Sequence, residues 1–182
     1  MNALVKNATH AAAAAPDQQQ YLTFMLGGEV FAIGILGIKE IIEYGQITTV
    51  PAMPDFIRGV INLRGAVVPV VDLSARFGRA SAAVTKRSCI VIVETQTDGE
   101  RQDMGVVVDA VNEVLEIPRD QIEPPPAFGA KIRTDFIDGM GKVNNKFVII
   151  LSVDNVLSLQ DLTVLGQLGA GELTALDAAP AA

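Results

Sequence analysis

The stretch FIRGVINLRGAVVPVVD, residues 56–72, contains two short apolar runs with a turn between them. The runs Val60–Leu63 and Val67–Val71 are rich in β-branched residues, which favour strands. The asparagine, arginine and glycine that interrupt them are typical of a tight turn. We therefore predict a β-hairpin with Arg64 at its tip. Because Pro69 has no backbone N–H, its strand is expected to lie at an edge or a bulge there.

The same segment takes part in an internal repeat. Phe56-Ile57-Arg58-Gly59 returns 80 residues later as Phe136-Ile137-Asp138-Gly139, and at that offset Val67–Val71 falls on Phe147–Leu151. Chance alignment of strand-rich sequence is the alternative, but the matches include glycine and phenylalanine, which favours a duplication. The repeat predicts two similar small barrels, the second at roughly residues 86–142. At an offset of 73 residues, Phe31–Ile33 also matches Met104–Val106, and Ile38–Ile41 matches Val111–Val114.

Short strands dominate the pattern elsewhere, and turn-forming residues bound them, so the sequence predicts an all-β fold with a few short helices. Helical patterns cover Gly34–Glu43, Leu73–Phe77 and Asp154–Leu159. The first of these has apolar residues at 35, 38, 41 and 42, the spacing of an amphipathic turn of helix. The predicted strands are Tyr21–Leu26, Val30–Ile33, Ile47–Val50, Val60–Leu63, Val67–Val71, Ile90–Glu94, Met104–Val108 and Phe147–Leu151.

The composition excludes several classes of function. The chain has 182 residues, of which 49% are hydrophobic, and a formal charge of −7. This acidic balance argues against nucleic-acid binding through a basic face. The apolar runs are far shorter than the ~20 residues of a membrane helix, and a single cysteine excludes a disulfide within the chain. We predict a cytosolic protein with a folded part at 20–165 and flexible tails at 1–19 and 166–182.

The sequence shows no catalytic or metal-binding constellation, so we predict no enzyme activity, no metal and no cofactor. The one histidine, His10, lies in the predicted tail, and the acids are scattered singly. A hydrolase that pairs Asp72 with Asp109 or Asp154 stays open, because these acids follow apolar strands. The competing interpretation is that Asp72 caps the short helix Leu73–Phe77.

Two charged side chains are candidates for a binding surface. Arg64 at the hairpin tip is either a solvated arginine or a guanidinium preorganised for a partner's carboxylate or carbonyl. Glu40, beside the apolar positions 35–42, belongs either to a solvated face or to a groove that binds a helix. The residues alone leave both alternatives open.

Together these segments resemble the CheW-like domain of bacterial chemotaxis coupling proteins. The resemblance covers about residues 20–160, and the combination of motifs is specific where each motif alone is weak. The matching motifs are Tyr21–Phe24, Phe31–Ile33, Ile38–Ile41, Val50-Pro51, Pro54–Gly59, Asn62-Leu63-Arg64-Gly65, Val68–Leu73, Gly105–Asp109, Val114-Leu115 and Phe136-Ile137-x-Gly139.

The resemblance implies two intertwined five-stranded SH3-like β-barrels around a shared core, with a receptor-binding groove between them. It implies a cytoplasmic, non-enzymatic adaptor of receptor arrays, which couples the helical cytoplasmic tips of methyl-accepting chemoreceptors to the regulatory domain of the histidine kinase CheA. A coupler of another chemosensory pathway, such as surface motility or second-messenger control, is the alternative. The implied receptor- or kinase-binding residues are Ile38, Glu40, Gly59, Asn62, Arg64, Gly65, Gly105 and Val114.

Overall fold

The computed structural model describes residues 18–81, 83–97, 99–125 and 134–158. The predicted tails lie outside these ranges, except for Gln18 and Gln19, which begin the first strand. The strands are β1 (Gln18–Leu26), β2 (Glu29–Gly34), β3 (Ile38–Glu43), β4 (Ile57–Leu63), β5 (Ala66–Asp72), β6 (Cys89–Thr97), β7 (Glu100–Val108), β8 (Ala110–Pro118), β9 (Ile122–Glu123), β10 (Ile137–Val143) and β11 (Lys146–Leu151). The helices are α1 (Leu73–Arg76) and α2 (Val153–Val156), and 3-10 turns cover Ile35–Gly37, Arg119–Gln121 and Thr134–Phe136.

The strands form two sheets, which confirms the predicted all-β fold with few short helices. One sheet has five strands in the order β3-β6-β7-β5-β4, and the other has six in the order β8-β1-β2-β11-β10-β9. The sixth strand, β9, is two residues long and pairs with Met140 and Gly141 of β10, so this sheet exceeds the expected count of five. Residues 86–142, which the repeat assigns to the second barrel, contribute strands to both sheets.

The two halves of the chain exchange strands, which makes the sheets intertwined. β1 and β2 join β8, β10 and β11 from the second half, while β6 and β7 join β3, β4 and β5 from the first. The parallel pairings that connect the halves are equivalent: Val70 pairs with Gly105, and Ile150 pairs with Ala32. These partners are related by the same offsets, 80 and 73, that relate the sequence segments. The internal repeat is therefore present in the strand register.

Apolar side chains form three core clusters, one shared and one for each sheet. The shared cluster contains phenylalanines from both halves, Phe24, Phe31, Phe77 and Phe136, whose neighbouring rings lie 5.7–6.1 Å apart between centroids. The five-stranded sheet encloses Ile61, Val68, Val70, Ile90, Ile92 and Val107, and the six-stranded sheet encloses Tyr21, Ala32, Ile117, Val148 and Ile150. Burial of the shared cluster holds the two barrels together.

The predicted helix at Gly34–Glu43 is wrong, because this segment is a 3-10 turn followed by the strand β3. Exposure alternates along β3, and its backbone pairs with β6 from Ile38, opposite Val93, to Glu43, opposite Cys89. The isoleucine spacing fits one face of a helix, but branching at Cβ favours a strand when a neighbouring strand offers backbone partners.

Two local predictions are confirmed. The carboxylate of Asp72 accepts a hydrogen bond from the backbone N–H of Ala75 at 3.3 Å, so Asp72 caps α1. At Pro69, β5 pairs with β4 through Val60, whereas its pairing with β7 begins at Val70. The proline therefore lies where β5 has one partner strand, as its missing N–H requires.

Candidate functional site

The tip of the β4–β5 hairpin is a two-residue turn in which Arg64 and Gly65 have positive φ angles of 53° and 85°. Such turns match the twist of the flanking strands, and the conformation is costly for a residue other than glycine. The side-chain oxygen of Asn62 accepts a hydrogen bond from the backbone N–H of Gly65 at 2.9 Å. Asn62 and Gly65 therefore hold the backbone that presents Arg64.

The structure brings the two charged candidates together. The guanidinium of Arg64 donates to a carboxylate oxygen of Glu40 at 2.8 Å, which connects the hairpin tip to β3 at the other end of the five-stranded sheet. The Arg64 side chain is 79% exposed, whereas that of Glu40 is 24% exposed. The pair is therefore a surface feature, and its guanidinium faces solvent.

Both members of this pair have hydrogen-bonding groups that the pair itself does not use. The second carboxylate oxygen of Glu40 is buried and has no hydrogen-bond partner among the described residues. A buried acceptor without a partner costs about 1–3 kcal/mol. A guanidinium carries five N–H donors, and Glu40 accepts from one terminal nitrogen of Arg64. Arg64 therefore retains donors for the carboxylate or carbonyl groups of a partner.

The other sequence-predicted residues occupy three different environments. Ile38 begins β3 and packs against the shared core. Gly59 and Gly105 lie inside the five-stranded sheet: a Cβ on Gly59 would overlap the Thr48 carbonyl oxygen, and one on Gly105 would approach Ile90 to 2.8 Å. Val114 is exposed on β8 of the other sheet. The structure thus groups Ile38, Glu40, Asn62, Arg64 and Gly65 around β3 and the hairpin tip, and it leaves Val114 apart from them.

Several exposed apolar side chains are absent from the residues predicted from the sequence, and two of them lie beside the Arg64–Glu40 pair. Leu36 in the 3-10 turn before β3 is 97% exposed, and Val67, two residues beyond the tip on β5, is 71% exposed. Phe147, the repeat counterpart of Val67 on β11, is 52% exposed. The alternation of side chains along β5 indicates the exposure of Val67: Val68 and Val70 face inward, so Val67 faces outward. Isolated apolar groups are common on surfaces, but beside a preorganised charge they fit a docking face.

Two of the three acids of the hydrolase alternative, Asp72 and Asp109, have structural partners. The Asp72 carboxylate is buried, pairs with Arg58 at 2.9 Å and caps α1. Asp109 accepts a hydrogen bond from the backbone N–H of Gly27 at 2.8 Å. In the part of the chain that the structure describes, no group of three or more His, Cys, Asp or Glu side chains is placed to hold a metal ion. Cys89 is a free, half-buried thiol beside the shared core.

The neighbour of Glu40 on β3 is held by charge pairs of its own. The ammonium of Lys39 lies 2.9 Å from Asp103 and 3.3 Å from Glu94, on the outer face of β6 and β7. The hydrogen bonds to Asp103 and Glu94 raise the pKa of Lys39 above its usual range. Lys39 is therefore charged, but its ammonium group is already paired with two carboxylates. Arg64 is the cation that the hairpin tip offers to a partner.

None of the helices in the described residues is long and apolar enough to span a membrane.

Comparison with known proteins identifies one family. A family model described as the CheW-like domain matches residues 20–161. Among curated relatives, the Chemotaxis protein CheW of Klebsiella aerogenes is 33% identical over 147 residues, which cover 81% of this chain and 86% of that protein. The Chemotaxis protein CheW of Helicobacter pylori is 33% identical over 138 residues, covering 76% of this chain and 81% of the relative.

A solved structure is similar as well. The crystal structure of the scaffolding protein TtCheW from Thermoanaerobacter tengcongensis has a TM-score of 0.68 and 39% sequence identity, and the match covers 74% of this chain and 84% of that one. Protein FrzA of Myxococcus xanthus is a further relative, 31% identical over 118 residues, which cover 65% of this chain and 71% of FrzA.

Proposed function

The chain belongs to the CheW-like domain family and is a chemotaxis adaptor, and we propose that it couples the cytoplasmic helices of chemoreceptors to the histidine kinase CheA. The kinase contact runs through the regulatory domain of CheA. The protein acts in the cytoplasm, beside membrane-bound receptor arrays, and performs no reaction itself. Support for the general role comes from relatives named as chemotaxis and scaffolding proteins.

The observation that carries the proposal is the Arg64–Glu40 pair at the rigid hairpin tip. Its guanidinium is 79% exposed and held by a two-residue turn, so a partner meets a charge whose position is already fixed. Preorganisation reduces the ordering cost of binding. The unpaired oxygen of Glu40 would gain a donor if binding rearranged the pair, which gives the site a preference for a partner rich in hydrogen-bonding groups.

Exposed apolar groups supply the other half of the docking surface. Leu36 lies before β3 and Val67 lies beside the tip, and both side chains are largely exposed. An amphipathic receptor helix would bury these side chains with its apolar face and orient its polar groups towards Arg64. We place this helix in the groove between the barrels, with Ile38, Asn62 and Gly65 shaping its wall.

The remaining residues of the predicted set act in different ways. Gly59 and Gly105 maintain the five-stranded barrel, since both lack room for a side chain, so their substitution weakens coupling through the fold. Val114 is exposed on the edge strand β8, which makes it a candidate for the kinase side. Two barrels with separate faces would allow both partners to bind at once. Receptor state alters kinase state if the contacts differ between the two receptor states.

The test is co-sedimentation of the full chain with a chemoreceptor fragment and CheA, omitting each component in turn. Arg64→Asp is expected to weaken receptor binding at least tenfold while the fold persists, because the position is exposed and aspartate tolerates a positive φ. Arg101→Asp is the matched control, since Arg101 is 71% exposed and lies 3.6 Å from Glu94. Equal binding by both variants would overturn the role of Arg64.

A coupler of another chemosensory pathway is the second candidate function. The similarity to FrzA, a relative with a different name, is compatible with it. Co-sedimentation with receptor fragments from each pathway of the host distinguishes the candidates. Retention by receptors of one pathway alone assigns the protein to that pathway.

A further inference from the structure

The mouth of the five-stranded barrel beside Gly59 is filled by its own side chains. The guanidinium of Arg58 lies over the ring of Tyr44, 6.0 Å from its centroid, and pairs with Asp72 at 2.9 Å. In the five-stranded barrel these side chains therefore occupy the space beside Gly59.

The repeat changes all three of these side chains in the six-stranded barrel. Asp138 stands at the position of Arg58, Ile117 at that of Tyr44, and Ser152 at that of Asp72. The backbone is equivalent, because Asp72 and Ser152 each donate their N–H to the carbonyl of the repeated phenylalanine. With a shorter acid in place of the arginine and an isoleucine in place of Tyr44, the mouth is an open cavity of about 310 Å³. That volume is at the lower end for small-molecule pockets.

The cavity has an apolar wall and a polar rim. Ile117, Ile122 and Ile150 form the wall. On the rim, the Tyr21 hydroxyl donates to the side-chain oxygen of Gln19 at 2.9 Å, which orients both groups. These features combine apolar area with a small number of fixed polar groups, as in most sites for small ligands.

Two charges of opposite sign also lie on this rim, Arg119 and Asp138. Both residues are exposed, and within the described ranges neither takes part in an ion pair. Partial burial of the Asp138 carboxyl group, and then the negative charge of Asp154, raise the pKa of Asp138 above its usual value. A cation placed beside Asp138 would favour its charged form, and an anion beside Arg119 would form a charge-assisted hydrogen bond.

We propose that this cavity binds a small zwitterion of the free α-amino acid type with an aliphatic side chain. Arg119 receives the carboxylate, Asp138 receives the ammonium group, and the three isoleucines contact the side chain. An inorganic anion would satisfy Arg119 but would leave Asp138 without a partner, and a hydrocarbon would leave both charges without partners. The zwitterion satisfies both charges and the apolar wall.

The experiment titrates the full chain with L-leucine by calorimetry, with amide chemical shifts recorded in parallel. We expect saturable binding and shifts confined to the residues around Gly139 and Arg119. Leucinamide lacks the carboxylate charge and N-acetyl-leucine lacks the ammonium charge, so each is expected to bind at least tenfold more weakly. Absence of saturable binding, or equal binding of all three compounds, would overturn the proposal.

Variants locate the site independently of the probes. Asp138→Asn and Arg119→Gln are each expected to weaken L-leucine binding at least tenfold, whereas the neighbouring Asp120→Asn is expected to leave it unchanged. Circular dichroism checks that the variants fold, and the exposed positions make folding defects small. Unchanged affinity for L-leucine in both rim variants would overturn the proposal. Co-sedimentation with receptor and kinase is expected to persist in both, so failure here is distinguishable from failure of the adaptor function.

Discussion

Replacement of Glu40 by methionine separates binding from stability at the candidate site. The substitution removes one exposed ion pair, which contributes about 0.2–1 kcal/mol, and it also removes a buried acceptor without a partner, which costs about 1–3 kcal/mol. Arg64 is 79% exposed, so water replaces its lost partner. Glu40→Met is therefore expected to increase the free energy of unfolding by about 1 kcal/mol, or the melting temperature by about 2–4 °C.

The assay is urea denaturation followed by circular dichroism, combined with receptor co-sedimentation. Glu43→Met, an exposed acid on the same strand, is the control and is expected to change stability by less than about 0.5 kcal/mol. Glu40→Met is expected to weaken receptor binding despite its higher stability, as is common for residues retained for function. A loss of more than about 1 kcal/mol would refute the reasoning, because Glu40 would then hold the barrel closed.

Three further substitutions test the structure. Gly59→Ala is expected to destabilise the fold by several kcal/mol, since its Cβ would overlap Thr48, whereas Gly28→Ala meets no atom within 4 Å and costs only its positive φ; comparative urea denaturation checks this. Asp72→Ala is expected to cost about 3–5 kcal/mol, because Arg58 loses its buried partner, and the same assay measures it. Asp138 has a raised pKa, so its ionisation opposes folding above that pKa; Asp138→Asn is expected to raise the melting temperature at pH 7, and the gain should shrink as pH falls towards 4.

The sequence predicts the parts of this fold that depend on local pattern. The hairpin of residues 56–72, the cap by Asp72 and the edge position of Pro69 follow from residue type and spacing, and the structure confirms them. The pattern predicts a helix where β3 forms, because isoleucines at 35, 38, 41 and 42 fit both the helical and the strand period. Pairing with β6 decides between the two, and local sequence carries no information about that partner.

The contacts that build the site depend on barrel closure and are beyond local pattern. Arg64 and Glu40 were both predicted as candidates, but the 2.8 Å contact between them joins β3 to a hairpin 24 residues away. The exchange of strands between the two halves also cannot be predicted from the sequence. The hydrophobic pattern of each half is the same whether its strands pair within that half or with strands of the other half. The repeat could show that two barrels exist, but only the register shows which strands form each one.

The repeat also explains how one small fold can offer two different faces. The positions that shape the backbone recur: the β4–β5 and β10–β11 hairpins each have a register shift at a glycine, Gly59 or Gly139. The tip residue does not recur, since Arg64 corresponds to Asn144 at the second tip.

Divergence at the two tips therefore affects side chains that the shared fold does not need. A single barrel with one exposed tip could hold one partner, and a second copy of that tip would attract the same partner again. Because the second tip lacks the guanidinium and carries Phe147 where the first has Val67, the two barrels present different chemistry to their surroundings. Since one shared core joins them, a partner bound to either barrel is held at a fixed distance from a partner bound to the other.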